Sequence, residues 1–341
     1  MKKLFLSMVA LMVATVSFAQ NNLVATLSHG EDIFMYYGTY ALCDAMNAAE
    51  SGDVINLSGG SFQSVNITKS VILRGTGIDV TLPTYINGDF TINIAADDIH
   101  RLSMEGIRCT GTIYMQVFFN SPYFLKNQFY GFNFGNESSI KNAMFVNCRV
   151  TNSFHLLGNN SMSFVNSYVG GFNNNNESPA SFVNCIILPP SSGLSPYSIR
   201  NSQLVNCIIY QIFYTYTDWW NGGSSLLPTN TIATNCLFIG YNSDTWSTNA
   251  ANINNMYAAY NKFPIVFKTF NRTYSENEKF ELTDEAKTKY LGNDGTEVGI
   301  YGGVMPYNSM PTYPQITKMN VANKTTADGK LSVEIEVSAA E

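Results

Sequence analysis

Aromatic and carboxylate side chains are concentrated in two short segments of this sequence. Residues 218–220 and 244–246 contain all three tryptophans of the chain, and each segment begins with an aspartate. Flat aromatic faces pack against the C–H faces of sugars, while carboxylates accept hydrogen bonds from hydroxyl groups. The candidate ligand-binding residues are therefore Tyr214, Tyr216, Asp218, Trp219, Trp220, Asp244 and Trp246.

The same residues allow a catalytic interpretation and a structural one. Two carboxylates about 5–9 Å apart can serve as the acid and base of glycoside hydrolysis, which makes Asp218 and Asp244 weak catalytic candidates. Arg149 is a third, as a proton acceptor in a β-elimination. In the structural alternative, the tryptophans only pack their loops against the rest of the protein. His155 lies beside apolar residues, an environment more typical of a structural histidine.

Charged residues are scarce through the middle of the chain. Residues 110–250 contain four acids and four bases. A hard cation needs about six oxygen ligands, which these isolated acids do not supply. Paired-carboxylate chemistry is disfavoured over most of this region for the same reason. We expect no metal and no cofactor, and the sequence favours a protein that is not an enzyme.

A short phrase recurs five times between residues 145 and 238. It consists of an apolar residue, any residue, Asn, then Cys or Ser, any residue, and an apolar residue, with successive asparagines 19, 18, 22 and 29 residues apart. A phrase that returns at a period of about 20 residues predicts a solenoid, in which each repeat forms one coil stacked on the last. A run of antiparallel hairpins is the alternative. The repeated asparagines are Asn147, Asn166, Asn184, Asn206 and Asn235.

The parity of the phrase predicts a sharp bend at each asparagine. Phe145 and Cys148 are three residues apart, so an unbroken strand would direct them to opposite faces. Both face inward if Asn147 adopts a left-handed conformation, which asparagine tolerates. Gly106 occupies the same position in an earlier coil, whereas the register of residues 126–128 is left open. Stacked coils would align the asparagines about 4.8 Å apart, with their amides bonded in a ladder.

The six cysteines are predicted to be free thiols. Four of them occupy one inward register of the repeat, and Cys43 and Cys109 also fall at inward positions. Cys148 and Cys185 are two coils apart, roughly 10 Å, which is too far for a disulfide. Side chains stacked in a column run parallel, so neighbouring cysteines do not point at each other. A column of thiols also cannot surround a metal ion tetrahedrally.

The chain resembles the secreted bacterial right-handed parallel β-helix proteins of the pectin-lyase-like superfamily. The recurring Asn-Cys phrase, the amphipathic stretch 39–49, the strand 53–57 that follows it and the segment 294–303 carry this resemblance. It implies an all-β fold, a right-handed parallel β-helix with a short N-terminal capping helix. The alternating stretches 316–321 and 331–337, separated by turn residues at 325–329, predict a C-terminal β-hairpin. The acidic motifs of the catalytic families are not present in residues 110–250, and the fold itself hosts many activities.

Residues 1–19 have the pattern of a secretory signal peptide. Lys2 and Lys3 precede an apolar stretch, and small residues lead to a cleavage site after Ala19. Cleavage leaves 17 basic against 25 acidic residues, which changes the net charge from −6 to −8. We expect a periplasmic or extracellular protein without a membrane span. An acidic chain without a basic stripe is a poor nucleic-acid binder.

These observations predict three regions: a signal peptide at 1–19, a β-helix at 20–310 and a C-terminal hairpin or tail at 311–341. The favoured function is non-catalytic recognition of a polysaccharide or a cell-surface glycan through the aromatic loops. A polysaccharide lyase or glycoside hydrolase is one alternative. A structural or adhesive surface protein is another. The identity of the ligand, the oligomeric state and the role of the hairpin as a cap or as a partner for another chain are left open.

Overall fold

Two twelve-stranded β-sheets form the walls of a right-handed parallel β-helix in the computed structural model. The structure describes residues 23–116, 118–135, 138–174, 178–188, 199–210, 230–239, 251–258, 262–270, 274–276, 278–321, 324, 328–330 and 332–338. The signal peptide predicted at 1–19 lies outside these residues. The predicted all-β solenoid is confirmed.

Sheet 1 begins with an antiparallel pair and continues with parallel strands. From β3 onward each strand pairs in parallel with the equivalent strand of the next coil. Its strands are β1 (Val24–His29), β2 (Asp32–Tyr37), β3 (Val54–Leu57), β5 (Ile72–Arg74), β8 (Ser103–Glu105), β11 (Tyr123–Leu125), β14 (Ala143–Val146), β16 (Met162–Val165), β19 (Ala180–Val183), β21 (Gln203–Val205), β23 (Ile232–Thr234) and β25 (Ala251–Ile253).

Sheet 2 is parallel throughout. Its strands are β4 (Gly60–Gln63), β6 (Thr84–Asn87), β7 (Phe90–Ile92), β9 (Ile107–Met115), β12 (Gln128–Phe134), β15 (Arg149–Leu156), β17 (Tyr168–Gly170), β18 (Phe172–Asn174), β20 (Ile186–Leu188), β22 (Ile208–Tyr210), β24 (Leu237–Ile239) and β26 (Met256–Ala258). The remaining elements are the parallel pair β10 (Phe118–Asn120) and β13 (Ser139–Lys141), the hairpin β27 (Gln315–Val321) and β28 (Val333–Ser338), and the helices α1 (Ala41–Ala48), α2 (Phe263–Val266) and α3 (Asp284–Lys289).

In each coil from β8 onward, one residue with positive φ turns the chain from sheet 1 into sheet 2. All five asparagines of the repeat have φ between 45° and 54°, which confirms the predicted left-handed bend. Gly106 has φ 69° and confirms its predicted place in the same series. Lys126 with φ 54° settles the open register of its coil, and Asn254 with φ 50° adds a further bend.

The hydrogen-bonded ladder lies one residue after the bend, and not at the asparagine amides as predicted. Cys207 shows the pattern: its Sγ accepts from the backbone N–H of Cys185 at 3.4 Å and donates to the carbonyl of Phe182 at 3.4 Å. Both partners belong to the preceding coil, so each side chain satisfies backbone groups that the bend leaves unpaired. This requirement explains why the position holds residues that can donate and accept: Asn127, Cys148, Ser167, Cys185, Cys207, Cys236 and Asn255.

Phenylalanines fill the interior of the solenoid. The rings of Phe124, Phe145, Phe164 and Phe182 stack from coil to coil with centroids 4.7, 4.7 and 5.0 Å apart. None of the six cysteines forms a disulfide, which confirms the free thiols. Burial raises the pKa of Cys148 to about 12. Cys43 differs from its predicted inward position, because it lies half-exposed on α1.

The amphipathic helix near the N-terminus confirms the predicted cap. Helix α1 buries Ala41, Leu42, Ala45 and Met46. The antiparallel pair β1–β2, which joins sheet 1 through β3, has no counterpart in the sequence-based prediction. The predicted C-terminal hairpin is also present as β27–β28. It follows Tyr313, whose hydroxyl donates to the carbonyl of Gly75, so the hairpin begins beside an early coil and not beside the last one.

Candidate functional site

One outward-facing column runs along sheet 2, at the second residue after each bend. Its members are register partners on neighbouring strands. The column is polar in the early coils and apolar in the later ones. In chain order it consists of Tyr85, Arg108, Gln128, Arg149, Tyr168, Ile186, Ile208, Leu237 and Met256.

The chain returns along the outside of the solenoid and covers this column. We call residues 292–313 the return segment. It crosses the bends in reverse order, with the Gly299 N–H donating to the Asn206 carbonyl at 2.9 Å. The amide of Asn166 donates to the carbonyls of Ile300 and Gly302, both at 2.8 Å. Residues 294–303, one of the segments that carry the resemblance to β-helix proteins, therefore lie outside the described coils, whose last paired strand is β26.

Over the later coils the cover is a second hydrophobic core. Ile186, Ile208 and Leu237 are each at most 1% exposed. They pack with apolar side chains from α2, α3, the residues between these helices and the return segment. These side chains are Val266, Phe267, Phe270, Phe280, Leu282, Ala286, Tyr290, Val298 and Ile300.

Over the earlier coils the cover is a network of ions. Arg149 makes a bidentate contact with Asp79, with Nη1–Oδ1 and Nη2–Oδ2 distances of 3.0 and 2.8 Å. Its Nη1 also donates to the Glu276 carbonyl at 3.3 Å. Arg108 lies 3.2 Å from the Glu276 carboxylate and 3.6 Å from Asp79. Two outward arginines are thus tied to the loop after β5 and to the segment after α2.

The guanidinium of Arg149 is almost fully buried and remains charged. Its side chain is 4% exposed. Burial alone would lower the pKa of Arg149, but its neighbours, the Asp79 carboxylate among them, outweigh burial and raise this pKa above its ordinary value. A guanidinium held in its charged form is a poor proton acceptor. The geometry therefore suits contact with an anion, and the catalytic assignment of Arg149 stays a prediction.

A cleft of about 880 Å³ opens between the arginine network and the return segment. We call it the arginine cleft. The lining side chains on which the site depends are Asp79, Asn147, Arg149, Lys279, Tyr301 and Tyr307. A side lobe of about 280 Å³ adjoins it, shares Asp79, Arg149 and Lys279, and reaches Arg108. The Arg149 guanidinium lies 5.2 Å from the centroid of the Tyr307 ring.

The far wall of the cleft is tied to the solenoid by polar contacts. The Lys126 ammonium donates to the Met310 carbonyl at 2.5 Å. Thr312 donates to the Glu105 carboxylate through its backbone N–H at 2.6 Å and through its hydroxyl at 2.8 Å. These contacts hold the return segment across the early bends and so fix the shape of the cleft.

The sequence-predicted ligand-binding residues lie outside the described residues. They are Tyr214, Tyr216, Asp218, Trp219, Trp220, Asp244 and Trp246. The structure does describe the strands that precede their segments: β22 ends at Tyr210 and β24 at Ile239, and these two residues are register partners. The residues that precede segments 211–229 and 240–250 therefore lie side by side, at the C-terminal ends of adjacent strands of sheet 2. Residues 189–198 follow the neighbouring strand β20.

The histidine considered in the sequence lies away from the cleft. His155 is half-buried on β15, in register with Asn133 and Asn173. Among the residues that the structure describes, no group of three or more His, Cys, Asp or Glu is arranged to hold a metal ion. None of the helices within these residues is long and apolar enough to cross a membrane.

Sequence reasoning missed Asp79, Glu276 and Tyr307 as site residues. The dense charges of the sequence 273–290 predict a solvated loop with a short helix at 283–290. The helix is confirmed as α3, and the Thr283 Oγ1 caps it by accepting from the Ala286 N–H at 3.2 Å. The stretch is not simply solvated, since Glu278 is buried. The available signal was Arg149, an outward arginine two residues after a bend with no acidic residue near it in sequence, which indicates an acidic partner from elsewhere in the chain.

Searches against protein-family models, curated proteins and solved structures give no significant match to this chain. Its function therefore has to be argued from its own residues.

Proposed function

We propose that this chain is a secreted, non-catalytic recognition protein that binds a polysaccharide or a cell-surface glycan. The register pairing of Tyr210 with Ile239 carries the proposal, because it starts the two tryptophan-containing segments on adjacent strands of sheet 2. Adjacent strands in a sheet are about 4.8 Å apart. Two aromatic segments that begin so close together can contact neighbouring sugar units of one chain.

The chemistry of these segments supports a sugar ligand. They hold three tryptophans and two aspartates, in a part of the chain where charged residues are scarce. Aromatic faces provide sugar-stacking area, and the carboxylates provide hydroxyl acceptors. Long insertions on a repetitive scaffold are also where solenoids commonly carry function. We extend the proposal to membership of the pectin-lyase-like superfamily, on the residues that carry the resemblance.

A glycan-array screen of residues 20–341 tests the proposal. The test variant is the triple substitution Trp219→Ala, Trp220→Ala and Trp246→Ala. The matched control removes three exposed aromatic rings elsewhere on the molecule, by Tyr37→Ala, Tyr40→Ala and Tyr130→Ala. We expect at least one glycan to bind the wild type and the control but not the test variant, with all three proteins folded by circular dichroism.

The outcomes separate the three interpretations. Binding without turnover supports recognition. Depolymerisation of the bound glycan, with loss of turnover in Asp218→Asn or Asp244→Asn, supports the lyase or hydrolase alternative instead. Absence of binding to every glycan overturns the proposal and favours a structural or adhesive protein. N-terminal sequencing of protein recovered outside the cytoplasm is expected to start at Gln20, and a retained Met1 would contradict secretion through this signal.

A further inference from the structure

Three buried polar atoms without a hydrogen-bond partner among the described residues belong to side chains that line the arginine cleft. They are the Oδ1 of Asn147, the Nε of Arg149 and the hydroxyl of Tyr307. These residues are 4%, 3% and 8% exposed, respectively. Buried polar groups in folded proteins are nearly always paired, and an unpaired one is costly. A cluster of three around one cleft indicates a place built to bind something polar.

The bends of the solenoid differ in how their asparagine amides are paired. The Asn166 and Asn206 amides hydrogen-bond to the return segment. The Oδ1 atoms of Asn147 and Asn184 have no partner among the described residues. Their bend conformations, with φ 52° and 51°, match those of the others. Asn147 differs from Asn184 in that it lines the arginine cleft.

The free polar atom of Arg149 follows from its other contacts. Its two terminal nitrogens contact Asp79, and Nη1 also donates to the Glu276 carbonyl. Of its five N–H groups, these contacts use three; the Nε–H and one N–H of Nη2 are left for further acceptors, and the Nε atom has no partner among the described residues. The Tyr307 hydroxyl keeps its proton, because burial raises the pKa of Tyr307. The cleft thus offers two donors, from Arg149 and Tyr307, and one acceptor, from Asn147.

The charges around the cleft favour an anion. Four positive side chains stand against three negative ones, namely Arg108, Lys126, Arg149 and Lys279 against Asp79, Glu105 and Glu276. The remaining carboxylate of the lining, Glu281, lies 3.4 Å from the ammonium of Lys268. Lys279 forms no ion pair with any residue that the structure describes. With Glu281 assigned to Lys268, the described side chains around the cleft therefore carry one more positive than negative charge.

We propose that the arginine cleft binds a small, singly charged organic anion that also carries hydroxyl groups. The Lys279 ammonium and the Arg149 Nε–H contact its oxyanion group, the Tyr307 hydroxyl donates to a ligand oxygen, and the Asn147 Oδ1 accepts from a ligand hydroxyl. A volume of about 880 Å³ accommodates a ligand of at least the size of a sugar unit. Charge-assisted hydrogen bonds of this kind are stronger than neutral ones.

The cleft is separate from the strand ends that precede the tryptophan segments. Arg149 is the first residue of β15, whereas those segments follow the last residues of β22 and β24. In sheet 2, β17 and β20 lie between β15 and β22. Binding in the cleft therefore goes beyond the glycan proposal and does not depend on it. The tryptophan variant is expected to leave binding in the cleft unchanged.

Calorimetric titration of the full mature chain at low ionic strength tests the inference. The probes are the sulfate ester and the phosphate ester of glucose, with unmodified glucose as the neutral reference. We expect the esters to bind at least about tenfold more tightly than glucose, because only they offer charge-assisted contacts. The preferred ester identifies the oxyanion: a single unmatched positive charge favours sulfate, with one negative charge, over the more highly charged phosphate.

Two conservative variants assign the binding to the cleft. Lys279→Gln removes the unmatched charge and is expected to weaken ester binding about tenfold, and Tyr307→Phe removes one donor and is expected to weaken it about fivefold. Lys324→Gln makes the same change of net charge on the exposed hairpin connection and is expected to leave the affinity unchanged. Thermal melting without ligand checks folding. Tyr307→Phe is expected to have the melting temperature of the wild type, because the Tyr307 hydroxyl has no partner among the described residues.

Three results would overturn the inference. The first is that neither ester binds at millimolar concentration to the folded wild type. The second is that glucose binds as tightly as its esters. The third is that both variants keep the wild-type affinity, which would place any binding elsewhere on the protein.

Discussion

The two halves of the outward column on sheet 2 have the same backbone and the same kind of cover, yet they differ in what the cover achieves. Over Ile186, Ile208 and Leu237 the covering chain forms a sealed hydrophobic core. Over Arg108 and Arg149, Asp79 of the loop after β5 and Glu276 of the segment after α2 form ion pairs, and a cleft is left beside them. The scaffold thus sets where a cover can dock, and the side chains in the column decide whether that cover seals the surface or shapes a site.

The energetics of the halves differ in the same way. Burying a large aliphatic side chain stabilises a fold by about 1.5–3 kcal/mol. A buried ion pair contributes far less net stability, because desolvation of both ions offsets their attraction. The apolar half therefore accounts for most of the adhesion of the covering segment. The ion pairs of the arginine half instead orient the covering residues beside the cleft, where the chain is not tightly packed.

Truncation in the apolar half is expected to have the largest effect. Ile208→Ala deletes a fully buried side chain whose Cδ1 lies close to Gly299 of the return segment. We expect a loss of about 3 kcal/mol, in the range for large-to-small core substitutions. Urea denaturation measures it, and Ile232→Ala, at a 43% exposed position, is the control. Equal, small losses in both variants would show that the outer core adds little to stability.

Breaking the ion network is expected to cost somewhat less. Asp79→Ala leaves the 4% exposed Arg149 side chain without its bidentate partner, while the carboxylate that is lost is 32% exposed. We expect a loss of about 2 kcal/mol, below the range for a fully buried pair because solvent reaches Asp79. Asp328→Ala, at an exposed pair with Lys330, is the matched control.

Replacing both partners sharpens this result. The double variant Arg149→Met and Asp79→Leu converts the arginine half into an apolar one. We expect it to recover most of the stability lost in Asp79→Ala, since apolar replacements of buried pairs are often neutral or stabilising. A double variant as unstable as Asp79→Ala would indicate that the cleft depends on the ions for its packing.

The contribution of the interior hydrogen-bond ladder to stability is expected to be the same beneath the arginine half and beneath the apolar half. Cys148 and Cys207 have equivalent contacts beneath the arginine half and the apolar half. Cys148→Ala and Cys207→Ala should each cost about 1 kcal/mol, the net contribution of a typical hydrogen bond. The matching Ser variants should cost less, since Ser167 already occupies this position. Clearly different losses at the two sites would show that the cover alters the interior.

Thiol labelling gives the finest distinction. Half-exposed Cys43 is expected to react first with iodoacetamide, because the pKa of Cys148 is raised to about 12 by burial and its thiolate is scarce at neutral pH. In Asp79→Ala we expect Cys148 to become reactive before Cys207, and in Ile208→Ala the order should reverse. Mass spectrometry over time measures both. The same order in both variants would contradict independent opening of the two halves.

The solenoid could be predicted from the sequence because its signals are local. The bend and the inward Cys position recur within each phrase, and the structure confirms both. The ladder lies one residue later than predicted, because the side chain after the bend pairs with the backbone groups that the bend leaves open. The missed cover also had a signal. In three late copies two apolar residues follow the Cys, at 186–187, 208–209 and 237–238, and one of each pair must face outward.

The arginine cleft lay beyond this reasoning for a physical reason. Its walls come from Asp79, Arg149 and Tyr307, which belong to no common repeat, and Tyr307 joins the other two only when the return segment folds back. No periodicity records such a contact. The candidate residues on segments 211–229 and 240–250 remain predictions, supported by the adjacency of the strands that precede them.

The path of the return segment sets the delay between the synthesis of each coil and the synthesis of the residues that cover it. Chains leave the ribosome N-terminus first, so Glu105 is made 207 residues before its partner Thr312, and Gly75 is made 238 residues before Tyr313. Asn206 waits only 87 residues for Asn293. At ordinary elongation rates the longest of these intervals is roughly 10–50 s. The early coils stay uncovered longest, and their outward column carries arginines, which water solvates well. The apolar half of the column is synthesised later, shortly before the residues that cover it. A nascent chain synthesised in this order exposes its aggregation-prone apolar surface for the shortest time.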